Sequence, residues 1–165
     1  YGVLKPSCHL YTFFPIGNAY HWTDLLSHSG FIIRSRPLIW FKTGPVGISD
    51  VYTSFLPAYE STLWAYKPGE GGIRRLFNRP IAEAYGFPKQ ETTWHENEKP
   101  SELLEKWIET SSNHDDIVLD CFSGGGCTLA SSFRLNRNFI GIELDEVNYS
   151  KSVERLTKLE EVQVT

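Results

Sequence analysis

The 165-residue chain contains no methionine and only three cysteines, and it begins with Tyr1. An intact reading frame starts with Met, and a bulky second residue hinders its removal, so the expectation is a piece of a longer protein. Cys8, Cys121 and Cys127 are odd in number and form no C-x-x-C pair. That pattern argues against a zinc site or a disulfide framework and for reduced packing thiols, so no metal is expected. There is no run of about eighteen apolar residues and no basic-then-apolar start, so the expectation is a soluble, cytoplasmic chain without membrane contact. No Lys-Ser or Lys-Thr pair follows the glycine cluster at 124–126, so it does not make a phosphate-binding P-loop.

What is present is enough for a core. Hydrophobic residues make up 41% of the chain and aromatic residues 14%, in a length that suits one domain. The net charge of −4 is unevenly spread. Residues 31–80 carry seven basic and three acidic side chains, and residues 101–165 carry six basic and twelve acidic ones. The asymmetry suggests one half facing phosphates and the other turned from them, with ordinary scatter of charge as the other reading.

The pattern that organises the rest is a short apolar run ending in Asp120, a glycine cluster, a helical segment and a second apolar run ending in Glu143. This is the strand-turn-helix-strand order of a Rossmann-like half. After Gly124 and Gly126, the third position of the dinucleotide fingerprint is Leu129, which argues against a pyrophosphate cofactor and a dinucleotide-dependent oxidoreductase. Bare glycine backbone lets a ligand lie against the chain, and Glu143 is placed to accept hydrogen bonds from ribose hydroxyls. A nucleoside without phosphates fits.

The run DCFSGGGCT at 120–128 resembles the D-P-F-x-G-S-G-T-T motif of amino DNA methyltransferases, which methylate N6 of adenine or N4 of cytosine with S-adenosylmethionine. FIGIELD at 139–145, with Tyr149, Arg155 and Leu156, is similar to the segment that follows it in that family. HENEKP at 95–100, then Leu103, Leu104 and Ile108, resembles the H-P-T-x-K-P segment that precedes it in the permuted, β-class members. VLKP at 3–6 with the strand His9–Phe14 is similar to V-L-K-P-G-G-x-L-Y-V-F, with Ser7 and Cys8 for the two glycines. Cys121, Gly125 and Cys127 depart from the usual Pro, Ser and Thr. Of these, Gly125 and Cys127 weaken the hydrogen bonding available to a cofactor.

The resemblance implies an α/β, Rossmann-like S-adenosylmethionine-dependent fold, circularly permuted and incomplete at its N-terminus. Residues 1–66 would be the remainder of a catalytic half, 67–94 a short target-recognition segment and 95–165 the cofactor half, all in one structural domain. It implies cofactor contacts from Asp120, Phe122, Ser123, Gly124, Gly126, Thr128 and Glu143, with His95, Lys99 and Pro100 near the methionine part. Double-stranded DNA is the implied partner, met by Trp40, Lys42, Arg74, Arg75 and Arg79, with a buried role for Trp40 kept open beside it. The family's catalytic Pro-Pro-aromatic tetrapeptide is absent, since no Pro-Pro occurs. No catalytic residue is thereby assigned, and the chain alone is expected to be inactive. Unpaired strand edges would favour self-association or pairing with the missing portion. The other reading is a non-catalytic remnant or partner subunit.

Taken in order, the pattern predicts a helix end at Val3 and a turn at Pro6. A strand His9–Phe14, a helix Asn18–His28, a strand from Phe31 broken near Pro37 and a strand Tyr59–Tyr66 follow. His9 is read as structural. Next come a weak helix at Ile81–Tyr85, a helix Glu102–Ser111 capped by Ser101, and a closing helix Val147–Val162.

Overall fold

The computed structural model describes residues 1–44, 53, 55, 58–74, 82–89 and 97–163, and its contacts divide them between two units, Tyr1–Pro88 and Lys89–Thr165.

The first unit is built around β4 (Tyr59–Tyr66). On one side it pairs antiparallel with β1 (His9–Phe14), from His9 opposite Tyr66 to Phe14 opposite Ser61. On the other side it pairs antiparallel with β2 (Ile32–Ile33) and β3 (Leu38–Lys42), which are separated at the expected break near Pro37. A strand with neighbours on both sides has little polar surface to offer, and Ser61, Thr62, Leu63 and Ala65 are all buried. Helix α1 (Ala19–His28) covers one face. There Phe14, Leu26, Phe31, Leu63 and Ala65 form a core, joined by Ala19 and Trp22 at the expected spacing.

Some local readings need correction. Residues 1–7 run as turns rather than as a helix end, and Ser7 takes φ 66°. That is the left-handed region that favours glycine, at a position where the resembling segment has Gly. The weak helix at Ile81–Tyr85 is replaced by β5 (Ala84–Phe87), which adds to β3 in parallel; Ile81 lies outside the described residues. Gly86 makes this possible, because a Cβ there would stand 2.5 Å from the Phe41 ring. The structural reading of His9 agrees with its surroundings. Its Nε2–H donates to the Arg74 carbonyl at 3.1 Å, and its ring meets Trp64 edge-on at 5.5 Å. Burial lowers its pKa, which favours the neutral ring.

In the second unit, β6 (Ile117–Asp120) and β7 (Asn138–Gly141) pair in parallel and are joined by α3 (Cys127–Arg134). Helix α2 (Ser101–Ser111) buries Leu103, Leu104, Trp107 and Ile108, the face its periodicity predicts. Its N-cap is Pro100 at ψ 128°, and no side chain caps it, so Ser101 is the first helical residue rather than the cap. Helix α3 ends in a Schellman motif. Arg137 N–H bonds to the Ser132 carbonyl and Asn136 N–H to Phe133, with Asn136 at φ 57°. This turn delivers the buried Arg137 side chain to the end of α2, where it donates to Ser112 Oγ at 2.9 Å and to the Ser112 carbonyl at 2.7 Å. Helix α4 (Glu146–Gln163) closes the chain, and no helix among the described residues is long and apolar enough to cross a membrane.

Candidate functional site

The site residues gather where β6 ends. Asp120 Oδ1 accepts the Phe122 amide at 3.0 Å, which turns the chain directly after the strand. Ser123 is then tied to β7's extension, its amide donating to the Ile142 carbonyl at 3.0 Å while Ile142 N–H returns to Asp120. Gly124 and Gly126 take φ 49° and 75°, and α3 starts immediately after. Gly126 serves as its N-cap, so no side chain caps the first turn.

Glu143 closes the loop from the second strand. Its Oε2 accepts the Gly124 amide at 2.7 Å, and its Oε1 accepts the Asp145 amide at 2.8 Å. A carboxylate has about four acceptor positions, so these two bonds fix its orientation and leave capacity for hydroxyl donors. Phe122, in the same turn, is 91% exposed.

Two further segments meet the start of α3. Ser152 on α4 lies against Gly126, where a Cβ would stand 2.2 Å from the Ser152 Oγ. Burial pushes the Cys127 thiol up, a hydrogen bond with the Lys99 main chain works the other way, and the nearby Glu98 and Asp120 carboxylates reinforce the rise. Cys127 is thus a neutral buried thiol. Glu98 in turn bonds Arg155 of α4 at 2.7 Å.

Of the residues singled out by sequence, Asp120, Phe122, Ser123, Gly124, Gly126, Thr128 and Glu143 share this turn and the ends of the elements flanking it. Lys99 approaches it through its main chain, while its Nζ bonds the Asn97 carbonyl; Pro100 is buried at the start of α2. His95, Arg75 and Arg79 lie outside the described residues. Trp40 is corrected from a base-stacking surface to the core. It is 1% exposed, and its Nε1 donates to the Phe87 carbonyl at 2.9 Å. Lys42 is engaged locally, 3.2 Å from Glu60 and over the Trp40 ring. Arg74 is half-buried, and its carbonyl receives His9. Sequence reasoning missed Glu98 and Ser152. The contacts that give them meaning lie 57 and 26 residues away in the chain, where no local spacing marks them.

Comparison with known proteins accords with this geometry. The family model described as DNA methylase (N6_N4_Mtase) matches residues 1–154. The type II methyltransferase M2.LlaDCHI of Lactococcus lactis subsp. cremoris is 30% identical over 172 residues, covering 94% of this chain and 62% of the relative. M2.DpnII of Streptococcus pneumoniae is 31% identical over 160 residues, covering 87% of this chain and 58% of its own. The chain thus spans less than two thirds of the length of these curated relatives. Among solved structures, the M1.HpyAVI-SAM complex superposes with a TM-score of 0.79 at 30% identity, covering 93% of this chain and 76% of the other. The cytosine-N4-specific PvuII DNA methyltransferase reaches 0.78 at 17% identity, covering 92% and 64%, and so shares the α/β fold. By the extent of the family match, the chain is a member of the N6-adenine/N4-cytosine DNA methyltransferase family.

Proposed function

We propose that the second unit binds S-adenosylmethionine and belongs to an enzyme that methylates an exocyclic amine of a base in double-stranded DNA. The carrying observation is the loop at 120–128, closed by the Gly124–Glu143 bond and opening onto the uncapped first turn of α3. Its donors and acceptors suit the cofactor. Glu143 has capacity for ribose hydroxyls, the exposed Phe122 ring offers an apolar face to adenine, and the first amides of α3 suit a carboxylate. When bound, S-adenosylmethionine supplies an electrophilic methyl group. The chain's contribution is to hold it in one orientation, so that proximity to a base flipped from the duplex provides much of the rate.

N6 of adenine is favoured over N4 of cytosine on the frequency of the two types in the family. The order of elements, with the β1–β5 sheet ahead of the glycine-loop strand, supports the circularly permuted arrangement. Arg74, Arg75 and Arg79, within residues 67–94, are the proposed phosphate or base contacts. No Pro-Pro-aromatic tetrapeptide occurs, so these 165 residues by themselves are proposed not to transfer a methyl group. Ile117 and Leu119 of β6, Ile140 of β7 and Ile142 just after it are each at least 40% exposed, which supports burial against a further apolar surface, in a second copy or in more of the protein.

Calorimetric titration with S-adenosylmethionine, beside a tritiated-methyl assay on duplex DNA, tests this. Saturable binding without transfer is the expected result. A folded chain that does not bind would refute the cofactor assignment, and transfer by this chain alone would refute the proposed inactivity.

A further inference from the structure

The His9 side chain directs an N–H at a loop rather than at the sheet around it. Its ring sits half-buried at the start of β1, edge-on to Trp64, and Nε2–H reaches the Arg74 carbonyl, 65 residues away in the chain, at 3.1 Å. A carbonyl only accepts, so this bond fixes the tautomer with the proton on Nε2. Arg74 is held from its other side too, its N–H donating to the Ser7 carbonyl at 3.0 Å.

These two bonds end a longer seam. Lys67 N–H donates to the Cys8 carbonyl at 3.0 Å, Ser7 N–H to the Lys67 carbonyl at 2.8 Å, and Lys67 Nζ to the Leu4 carbonyl at 2.8 Å. Gly69 approaches so closely that a Cβ there would stand 2.6 Å from the Ser7 Oγ. Gly72, at φ 74°, closes a turn by donating to the Gly69 carbonyl at 2.9 Å. Residues 67–74 are thus laid along residues 4–9, and Arg74 ends the seam with both its N–H and its carbonyl fixed. That sets the direction in which its side chain leaves the backbone. A guanidinium offers a fork of donors that matches phosphate, and one held in place beforehand loses less freedom on gripping it.

The charge of the ring suits this arrangement. Burial lowers the His9 pKa, the bond to the Arg74 carbonyl opposes the shift and the nearby Arg74 charge reinforces it. His9 is therefore a neutral donor that adds no second positive charge beside the guanidinium.

We propose that His9 is a positioning residue for DNA contact, which by holding the Arg74 carbonyl aims the Arg74 side chain at a DNA phosphate. This rests on the reading of double-stranded DNA as the partner. His9 itself touches no DNA and acts through Arg74.

The test is binding of a fluorescein-labelled duplex of about 20 base pairs to the 165-residue chain, followed by anisotropy over a range of salt at about pH 8. Each phosphate contact contributes roughly 0.9 to the slope of log affinity against log salt. Arg74→Ala is expected to lower the slope by about that much and to weaken binding about 3- to 10-fold at low salt. His9→Phe keeps a ring against Trp64 and removes the donor, and it should act like Arg74→Ala. The double variant should bind no more weakly than Arg74→Ala alone, because the two residues serve one contact. His9→Gln, whose side-chain NH2 can stand near the place of Nε2–H, should keep the wild-type slope. Neither His9 variant changes the charge at this pH, so a lower slope must come through another positively charged side chain. Lost packing alone would lower stability and leave the slope where it was. An unchanged slope in folded His9→Phe, or His9 and Arg74 effects that simply add, would overturn the role of His9. Circular dichroism establishes folding, and His9→Ala takes the place of His9→Phe if the latter does not fold. An unchanged slope in Arg74→Ala overturns the Arg74 contact and this proposal with it. A folded wild-type chain without salt-dependent binding overturns the DNA reading as well.

Discussion

Replacing Trp40 by alanine is expected to cost the first unit about 3–5 kcal/mol, the range for deleting a buried aromatic side chain. The reason is its position. Trp40 is opposite Glu60 on the central strand and opposite Tyr85 on the parallel one, so it packs where three strands meet. Removing it leaves a cavity, removes the donor to the Phe87 carbonyl and strips the ring beneath Lys42. Trp40→Phe keeps most of the bulk and should cost about 1–2 kcal/mol, chiefly through the lost hydrogen bond. Urea unfolding, followed by circular dichroism and fluorescence, measures both. A stability change within about 0.5 kcal/mol for Trp40→Ala, the size of an ordinary surface substitution, would mean that the ring is a surface feature after all.

Gly126→Val should remove cofactor binding and lower the stability of the second unit by about 2–5 kcal/mol. Two effects combine. The left-handed backbone at φ 75° costs an L-residue roughly 1–2 kcal/mol, and crowding in a close-packed site adds about 1–3 kcal/mol. The new Cβ would meet the Ser152 Oγ, which can rotate away, and also the Ser152 Cα at 3.3 Å, which cannot. Adding Ser152→Gly to the variant should therefore recover part of the loss and leave the backbone part. Gly17→Ala is the control, since a Cβ there meets nothing within 4 Å and φ is unexceptional. If denaturant midpoints for Gly126→Val and Gly17→Ala coincide, the close approach of α4 to the loop is not a constraint on the fold.

What could be read from the sequence followed the range of each signal. Periodicity identified the buried face of α2 residue by residue, because a helix places i, i+3 and i+4 together whatever lies elsewhere in the chain. The glycine loop was legible because its chemistry is local. Gly124, Gly126 and Glu143 carry backbone freedom and acceptor capacity in their own residue types. β5 was misread because four residues of mixed propensity became a strand only through pairing with β3, 45 residues earlier. Gly86 within it was the available clue, a glycine marking close backbone approach. Trp40 could not be decided by residue type, since aromatic rings serve cores and base-stacking surfaces alike. Ser101 was taken for a cap by composition, while Pro100, fixed in an extended backbone, holds that position. The Glu98–Arg155 pair joins residues 57 apart, and no window of the sequence spans both.

The central place of β4 also bears on how quickly each unit can form. One of its partners, β1, is remote, with His9 and Tyr66 57 positions apart, whereas Ile117 and Asn138 of the second sheet are 21 apart. Loop-closure entropy must be overcome before distant strands gain from pairing, so folding slows as contacts become less local. The β6–α3–β7 segment should therefore acquire protected amides first in a refolding time course, and β1 with β4 later. Pulsed hydrogen exchange read by mass spectrometry measures this, and protection of His9–Phe14 before Asn138–Gly141 would overturn that order. With the slow step in the first unit, the interval before β1 docks is when the bare edge of β4 is open to strands of other chains, and dilution during refolding should raise the yield of refolded protein.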